Sequence, residues 1–297
     1  MNITNNQNLP MPLVNAVKND EYSKGGADYS VSQLINPTQQ TILFNRYESQ
    51  LTEDVSDSIW KLFGKGFHML MEKHGGKHSL TEERLFMEIG GRKISGAPDW
   101  YDGEKLWDWK TTKAYARKSR LAEWTKQVNA YRFLLEHYGF KVSGTYIMAL
   151  YKDWRKSEAL KDPNYPQKDS EVIEIEKWTN DITENYLSER VKKLVANEKV
   201  IDDNLPECTK EEMWTREEAW VVVKKGKTRA INGGVKFSKE DAEKVLGEQK
   251  KPEENEIIHR PGIRARCEGY CSVSEFCSQR MKFKIENGIE ELAEVEA

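Results

Sequence analysis

Apolar residues recur at helical spacing in several stretches of the chain and alternate with polar residues in the stretches between them. In residues 54–75 they follow one another at intervals of three and four, which predicts an amphipathic helix that ends at Gly75. Residues 120–140 show the same spacing up to Gly139, and residues 171–199 are typical of a strand that leads into a long helix.

Strand patterns fill the stretches between these helices. Residues 83–112 and residues 141–151 are rich in β-branched and aromatic side chains, and Asp102–Gly103 is a typical hairpin turn. The resulting order is helix, strand, hairpin, helix, strand, helix. It predicts the α/β (or α+β) class, with a mixed central sheet flanked by helices.

The pattern also predicts where the chain divides. Residues 1–28 are rich in Asn, Gly and Lys, and we expect a flexible leader there. Residues 29–203 carry the regular helices and strands and form the predicted core. Residues 204–282 hold short strands, loops and all four cysteines, and residues 283–297 form an acidic tail.

Composition limits the classes of function. The chain has 297 residues, 38% of them apolar, with a formal net charge of −3. Contact with a nucleic acid would therefore come from a local groove and not from a uniformly basic surface. The sequence shows no basic segment followed by an apolar run near its start, and no apolar run approaches about 18 residues. We expect a cytoplasmic protein without a signal peptide or a membrane span.

Carboxylates and lysines are concentrated in the stretch SGAPDWYDGEKLWDWKTTK, which begins at Ser95. A two-residue turn at Asp102–Gly103 would pair Asp99 with Leu106 and make Asp108 a diagonal neighbour of Asp99, about 7–8 Å away at the backbone. Lys110 lies two residues after Asp108 and shares its face of the strand. A longer turn would change this alignment.

Two carboxylates beside an amine are suited to phosphodiester hydrolysis. Mg²⁺ prefers a few carboxylate oxygens, and a bound metal ion activates water and neutralises charge on a phosphate. Lysine positions the attacking water and stabilises the charged transition state. Trp107 and Trp109 alternate with the charged positions and should face the apolar side. By itself the pattern is more typical of a solvated, charged hairpin.

Side chains on the flanking helices favour the chemical interpretation. His68 and Glu72 lie four residues apart in the first helix, and Gln127 and Tyr131 lie four apart in the next. Each pair therefore shares one helix face. Imidazole and carboxylate groups both suit Mn²⁺ or Mg²⁺ sites. A surface glutamine or a partnered histidine would also explain each of these residues taken alone.

Taken in order, these motifs resemble the RecB-type branch of the PD-(D/E)XK nuclease superfamily. The similarity covers roughly residues 30–195 and is carried by Gly64, His68 and Glu72; Gly96 and Asp99; Asp108 and Lys110; and Gln127 and Tyr131. It implies a restriction-endonuclease-like core. It also implies roles: His68, Asp99, Asp108 and the main-chain carbonyl of Trp109 as metal ligands, Lys110 as the catalytic lysine, and Gln127 and Tyr131 as groups that orient DNA or the site.

The four cysteines suggest a second bound group. Cys267, Cys271 and Cys277 lie within eleven residues, and Cys208 lies far upstream. Four thiolates can hold one Zn²⁺ or one [4Fe–4S] cluster, in either case with a structural role. Relatives of the RecB type often carry such a cluster. Their distant cysteine usually precedes the nuclease motifs, whereas Cys208 follows them, so zinc remains the alternative.

The combined features predict a Mg²⁺- or Mn²⁺-dependent DNA exonuclease. Its size and motifs resemble phage recombination and repair exonucleases that work beside a single-strand annealing protein. Two alternatives remain open. One is a structure-specific or restriction-type endonuclease, and the other is a non-catalytic nucleic-acid-binding protein with a structural metal. The sequence does not indicate an oligomeric state.

Overall fold

The protein is described by a computed structural model that covers residues 1–19, 23–76 and 79–287. The chain separates into two compact units, the first spanning Met1–Ile201 and the second beginning at Asp202. The boundary expected from the sequence was residue 203. Among the helices of the described ranges, none is long and apolar enough to cross a membrane.

The first unit alternates strands and helices. Its strands are β1 Asn2–Thr4, β2 Tyr29–Ser30, β3 Thr52–Asp54, β4 Leu80–Thr81, β5 Leu85–Ile89, β6 Arg92–Gly96, β7 Trp100–Tyr101, β8 Lys105–Thr112, β9 Gly144–Tyr151 and β10 Ser170–Glu174. Its helices are α1 Met11–Lys18, α2 Val31–Ile35, α3 Thr38–Tyr47, α4 Ile59–His74, α5 Ala116–His137, α6 Lys156–Ala159 and α7 Asn180–Asn197.

The larger sheet has the strand order β10-β9-β8-β7-β4. Strands β8 and β9 are parallel, and the other neighbours are antiparallel. Helix α5 makes the crossover that a parallel pair requires. A second sheet has the order β2-β6-β5, with β2 parallel to β6. The predicted mixed α/β class, with sheets flanked by helices, is therefore confirmed.

Helix α5 packs on the sheet through one side of its surface. Trp124, Val128, Leu134 and Leu135 are fully buried on it. On β9 every second residue is buried, including Ile147 and Ala149, which pair with Asp108 and Lys110 of β8. The chemistry-bearing strand is thus central in its sheet and covered by an apolar layer.

Pro98 interrupts the extended segment that contains β6 and β7. Strand β6 pairs within the smaller sheet, and β7 pairs within the larger one. Proline has no N–H to donate to a strand ladder, which is consistent with a break at this position. Asp99 lies at the break, immediately before β7.

The hairpin between β7 and β8 differs from the prediction. Trp100 pairs with Trp107 and Tyr101 with Leu106, so the loop has four residues and not two. Oδ1 of Asp102 accepts hydrogen bonds from the two backbone N–H groups at the far side of the loop, at 2.9 and 2.6 Å. This turn, which the Asp102 side chain stabilises, accounts for the two residues by which the loop exceeds the prediction. Continued by one residue, the register sets Asp99 directly opposite Asp108, and the predicted diagonal placement was wrong.

Part of the predicted flexible leader forms regular structure, in β1 and α1. Strand β1 pairs in parallel with β3, and α1 buries Val14 and Val17 against Val55. The prediction relied on the Asn, Gly and Lys content of residues 1–28. It overlooked an apolar spacing of three residues that suffices for one short amphipathic helix.

The second unit contains a small sheet and short helices. Its elements are β11 Thr215–Arg216, β12 Ala219–Lys224, β13 Ala230–Lys236, α8 Lys239–Gly247, β14 Asn255–Arg260, β15 Ile263–Arg264, α9 Ala265–Gly269 and α10 Ser278–Glu286. Strand β12 is the central strand in the order β13-β12-β14, and Val221 and Val223 are fully buried on it. Of the predicted acidic tail at 283–297, residues 283–286 complete α10, and residues 288–297 lie outside the described ranges.

Candidate metal centre

Asp99 and Asp108 form the buried centre of the candidate site. Asp108 is 0% exposed and Asp99 is 6% exposed. Oδ2 of Asp99 accepts a hydrogen bond of 2.6 Å from the backbone N–H of Trp109, which fixes the Asp99 carboxylate against β8. Both oxygens of Asp108 are buried and lack a hydrogen bond of ordinary geometry from the described residues, so the charge on Oδ2 is balanced by the Lys110 ammonium, 2.5 Å away. A buried carboxylate left in this state needs a cation.

Lys110 supplies one positive charge. Its Nζ lies 2.5 Å from Oδ2 of Asp108, because residues two apart on a strand share a face. The Lys110 side chain is 19% exposed, so it lies at the mouth of the site while Asp108 lies at the floor. Trp107 and Trp109 occupy the other face of β8, where Trp109 stacks on Trp100 and Trp107 lies against Trp100 at a tilt.

Helix α4 brings His68 to the two carboxylates. A Cβ at Gly64 would lie 3.0 Å from Oγ1 of Thr111, so the missing side chain allows the helix to approach β8 closely. One turn later, Nδ1 of His68 lies 3.7 Å from Oδ1 of Asp99. Glu72, a further turn along, is exposed and does not reach the site.

Glu82 is a site residue that the sequence pattern did not indicate. Nδ1 of His68 lies 2.8 Å from Oε1 of Glu82 and can donate a hydrogen bond to it. The backbone of Glu82 has φ of +53°, in the left-handed region, and its N–H donates to the carbonyl of Pro98 at 3.0 Å. A charged residue in the polar stretch between two strands gives no sequence signal for this. Glu88, an acid on β5, is exposed.

Helix α5 places Gln127 and Tyr131 beside the carboxylates. Nε2 of Gln127 donates to the Tyr131 hydroxyl at 3.2 Å. A Cβ at Gly96 would lie 3.0 Å from the Tyr131 ring, so glycine permits this close packing. Burial, and then the charges of Asp108 and Asp99, raise the pKa of Tyr131. The Tyr131 hydroxyl is therefore a neutral group at the edge of the site.

The site holds more negative than positive charge. Burial, and then the charge of Asp108, raise the pKa of Asp99 from 3.8 to about 8, although Lys110 and His68 act in the opposite direction. Burial alone would lower the pKa of His68. The hydrogen bond to Glu82 and the charge of Asp99 outweigh it, so the His68 pKa is raised. Asp99 and His68 therefore both hold a proton more strongly than they would in water.

These residues fit a divalent metal ion. A ring nitrogen of His68 and one carboxylate oxygen each from Glu82 and Asp99 lie within 4.8 Å of one another. Oxygen donors with one imidazole suit Mg²⁺ or Mn²⁺. Asp108 is not one of these three residues, and its Oδ2 is paired with Lys110. Of the predicted ligands, His68 and Asp99 are thus brought together, with Glu82 added. The role of the Trp109 carbonyl stays a prediction.

The four cysteines all lie in the second unit. Gln279 of α10 holds Cys208, accepting from its backbone N–H at 2.9 Å and donating to its carbonyl at 3.0 Å. Burial raises the pKa of the Cys208 thiol to about 12, with further contributions from Glu212 and the other three cysteines.

The thiols do not come as close together as the sulfur ligands of a bound zinc ion. No three of the described thiols lie within 4.8 Å of one another, whereas a zinc tetrahedron holds its sulfur atoms about 4 Å apart. The expectation that a cluster, or alternatively zinc, is bound by Cys208, Cys267, Cys271 and Cys277 stays a prediction.

Comparison with known proteins gives little further information. No protein-family model matches the chain, and no curated protein matches it. Among solved structures, one similar chain is described as "Crystal structure of SSO0001", with a TM-score of 0.46 and 15% sequence identity. The similarity covers 64% of this chain and 86% of that one. At this level it indicates nothing about activity.

Proposed function

We propose that the protein is a metal-dependent DNA exonuclease that hydrolyses phosphodiester bonds. The observation that carries the proposal is the buried pair Asp99 and Asp108, set opposite each other, with Lys110 at 2.5 Å from Asp108 and His68 at 3.7 Å from Asp99. A solvated hairpin would not bury two carboxylates, because each costs several kcal/mol to desolvate. The buried carboxylate pair is therefore better explained by cation binding than by a contribution to stability.

Each residue has a role in this proposal. His68, Glu82, Asp99 and Asp108 would hold Mg²⁺ or Mn²⁺, which when bound acidifies a water molecule and neutralises charge on the phosphate. Lys110, held in place by Asp108, would orient the attacking water and stabilise negative charge on the phosphate oxygens.

Helix α5 adds a neutral hydrogen-bonding group to the proposed site. The Tyr131 hydroxyl, positioned by Gln127, would hydrogen-bond the substrate next to the reacting phosphate. Its raised pKa keeps the proton on the oxygen, so it can donate. Loss of the hydroxyl should therefore weaken substrate positioning without removing the metal ligands.

The biological setting follows from the resemblance. The ordered motifs similar to RecB-type PD-(D/E)XK nucleases suggest a phage or bacterial enzyme of DNA recombination or repair. It would act in the cytoplasm, and a single-strand annealing or recombination protein would be its partner. This part of the proposal rests on analogy.

The decisive test measures degradation of end-labelled linear DNA and of closed circular DNA with Mg²⁺ or Mn²⁺. We expect the wild type to degrade linear DNA and spare circles. Asp108→Asn and Lys110→Gln should each lower the rate more than about a hundred-fold. Glu88→Gln, which changes an exposed acid of the same unit, should retain the wild-type rate.

Three outcomes contradict parts of this proposal. Cutting of closed circles would replace the exonuclease with an endonuclease. Full activity of Asp108→Asn would show that the chemistry takes place elsewhere. A wild type that binds DNA but degrades none with either metal would favour the non-catalytic binding protein.

A further inference from the structure

Two large aromatic side chains stand in solvent at the start of α4. Trp60 and Phe63 are each 56% exposed, and their ring centroids lie 6.0 Å apart in an edge-to-face arrangement. The packed side of the helix is elsewhere, because Leu62 lies on the apolar cluster of α1 and Gly64 faces Thr111. Exposed neighbouring aromatic rings of this size usually mark a binding surface.

One lysine lies beside these rings, and a second lysine is its neighbour, both just past the ends of the parallel strands. Nζ of Lys152 is 4.3 Å from the ring centroid of Trp60. The register of β8 and β9 ends with Thr112 opposite Tyr151, so Lys113 and Lys152 follow as neighbours. Burial, and then the charge of Lys113, lower the pKa of Lys152, although the charge of Asp153 acts in the opposite direction. Neither lysine forms a salt bridge with a carboxylate of the described residues, and a bound anion would relieve their repulsion.

Helix α4 lies against the Trp109 and Thr111 face of β8, and its His68 reaches Asp99 of the candidate metal centre. Contacts at Trp60–Lys152, Gly64–Thr111 and His68–Asp99 follow in sequence along the helix. From Trp60 to His68 is about 12 Å along a helix. From Lys113 back to Lys110 is about 10 Å along a strand. A polymer with a phosphate at the centre would therefore extend over the aromatic pair within a few units.

We infer that Trp60, Phe63, Lys113 and Lys152 form a binding track for an unpaired segment of DNA next to the candidate metal centre. The aromatic rings would stack on bases, and the two ammonium groups would neutralise the adjoining phosphates. The inference rests on the proposed function for the identity of the polymer, and it adds that the strand is single at this point.

The chemistry of the track distinguishes an unpaired strand from other partners. A duplex presents mainly phosphates to a protein surface and hides the faces of its bases, so it would not use the exposed rings. A protein partner that covers apolar rings would leave two neighbouring lysine charges unpaired. An unpaired strand satisfies both features, because every base has an aromatic face and every unit carries one negative charge.

The polar surface continues beyond Lys113. The next residues along the chain, Ala114 and Tyr115, line a cleft of about 400 Å³. Lys118 and Lys168 are among its other walls. The same edge of the first unit therefore offers further cationic and aromatic groups along which a longer strand can lie.

Binding is best measured without metal, so that cleavage plays no part. A fluorescently labelled oligonucleotide and a blunt duplex of equal length are titrated in EDTA, and anisotropy gives the affinity for each. We expect Trp60→Ala to weaken single-strand binding at least about five-fold, with duplex binding unchanged. Lys152→Gln should also weaken single-strand binding and lower the slope of log K against log salt by about 0.7.

Matched controls come from the same unit. Met69 is 69% exposed and lies nine residues after Trp60, on the opposite side of the helix. Lys192 is an exposed lysine of α7, whose side chain is 78% exposed. Met69→Ala and Lys192→Gln should bind the oligonucleotide as the wild type does, and a thermal melt of every variant monitors its folding.

The outcomes separate this inference from the proposed nuclease. If Trp60→Ala and Lys152→Gln, both folded, bind the single strand as tightly as the wild type, the inference is overturned, whether or not the protein cleaves DNA. If these variants lose binding while the wild type cleaves nothing, the track stands and the nuclease proposal fails. Should Trp60→Ala prove unstable, Lys152→Gln alone decides the question.

Discussion

Asp99 lies in an environment that disfavours the negative charge of its side chain. It is buried beside Asp108, and both the burial and that neighbouring charge raise its pKa to about 8, from an ordinary value of 3.8. The folded state therefore binds a proton that the unfolded chain releases above pH 4. By linkage, Asp99 lowers the stability of the metal-free protein progressively as the pH rises from about 4 towards 8.

Replacing Asp99 should consequently stabilise the metal-free protein. We expect Asp99→Asn to raise the melting temperature at pH 7.5 in EDTA by several degrees, because a neutral amide avoids a penalty on the order of a few kcal/mol. The gain should shrink towards pH 5. Addition of Mn²⁺ should stabilise the wild type and have little effect on the variant. Equal melting temperatures for the two proteins at all pH values would contradict the buried, protonated state of Asp99.

Glu82 is a proposed metal ligand and has an unfavourable backbone conformation. Its φ of +53° costs most residues roughly 1 kcal/mol, a cost that glycine avoids. We expect Glu82→Gly to unfold at a higher temperature than Glu82→Ala, since only glycine adopts this conformation freely. Both variants should bind Mn²⁺ at least about ten-fold more weakly than the wild type, as measured by calorimetry. Wild-type affinity in both would remove Glu82 from the proposed ligands.

At the level of elements, regular hydrophobic spacing predicted the long helices well. Helix α4 ends at His74 with Gly75 as its C-cap, and α5 ends at His137 shortly before Gly139. Spacing also put Gln127 and Tyr131 on one helix face. The loop between β7 and β8 escaped prediction, because its length depends on hydrogen bonds made by the Asp102 side chain. Residue types do not show which turn such a side chain selects.

The candidate site was predictable to the extent that its residues lie on regular elements. Asp108 and Lys110 share a strand face by their two-residue spacing, and His68 follows from helix periodicity. Glu82 lies on neither kind of element, and its place depends on a backbone bond to Pro98. The predicted position of Asp99 relative to Asp108 was wrong, because it depended on a two-residue turn and the loop is longer.

Gly96 controls how closely α5 approaches the sheet. A Cβ there would lie 2.6 Å from Cδ1 of Leu134, a fully buried side chain, and 3.0 Å from the ring of Tyr131. We expect Gly96→Ala to lower the free energy of unfolding by about 1–3 kcal/mol and to reduce activity by displacing Tyr131. Denaturant unfolding measures the first effect.

Gly66 provides the matched control for this substitution. It is a helical glycine of α4, and a Cβ added to it would meet no heavy atom of the described residues within 4 Å. Gly66→Ala should leave activity unchanged and raise stability by up to about 1 kcal/mol, because alanine has the higher helix propensity. If both substitutions behaved alike, close packing at Gly96 would not be the reason for its glycine.

At the scale of the whole molecule, the chain forms two units with different means of stabilisation. The first has an extensive apolar core, whereas the second has a small sheet and four buried or half-buried thiols. A small core of this kind gains from a bound metal or cluster.

We therefore expect protein purified without oxygen to contain iron or zinc, measured by elemental analysis. Cys277→Ser should lose that metal and melt at a lower temperature. The visible spectrum then separates the two groups, because an iron–sulfur cluster is coloured and zinc is not. If the wild type contains no metal, and Cys277→Ser changes neither the metal content nor the melting temperature, the thiols are ordinary core residues.

Pro98, at the junction of β6 and β7, limits how the heat resistance of this protein can be increased. If valine replaced Pro98, the segment from Arg92 to Tyr101 would be free to run as one uninterrupted strand, which is the more regular structure. Asp99 and the Glu82 bond to the Pro98 carbonyl both depend on the interruption. Selection for heat resistance alone would thus be expected to favour exchanges that dismantle the candidate metal centre, and a screen for stabilised versions should retain an activity readout.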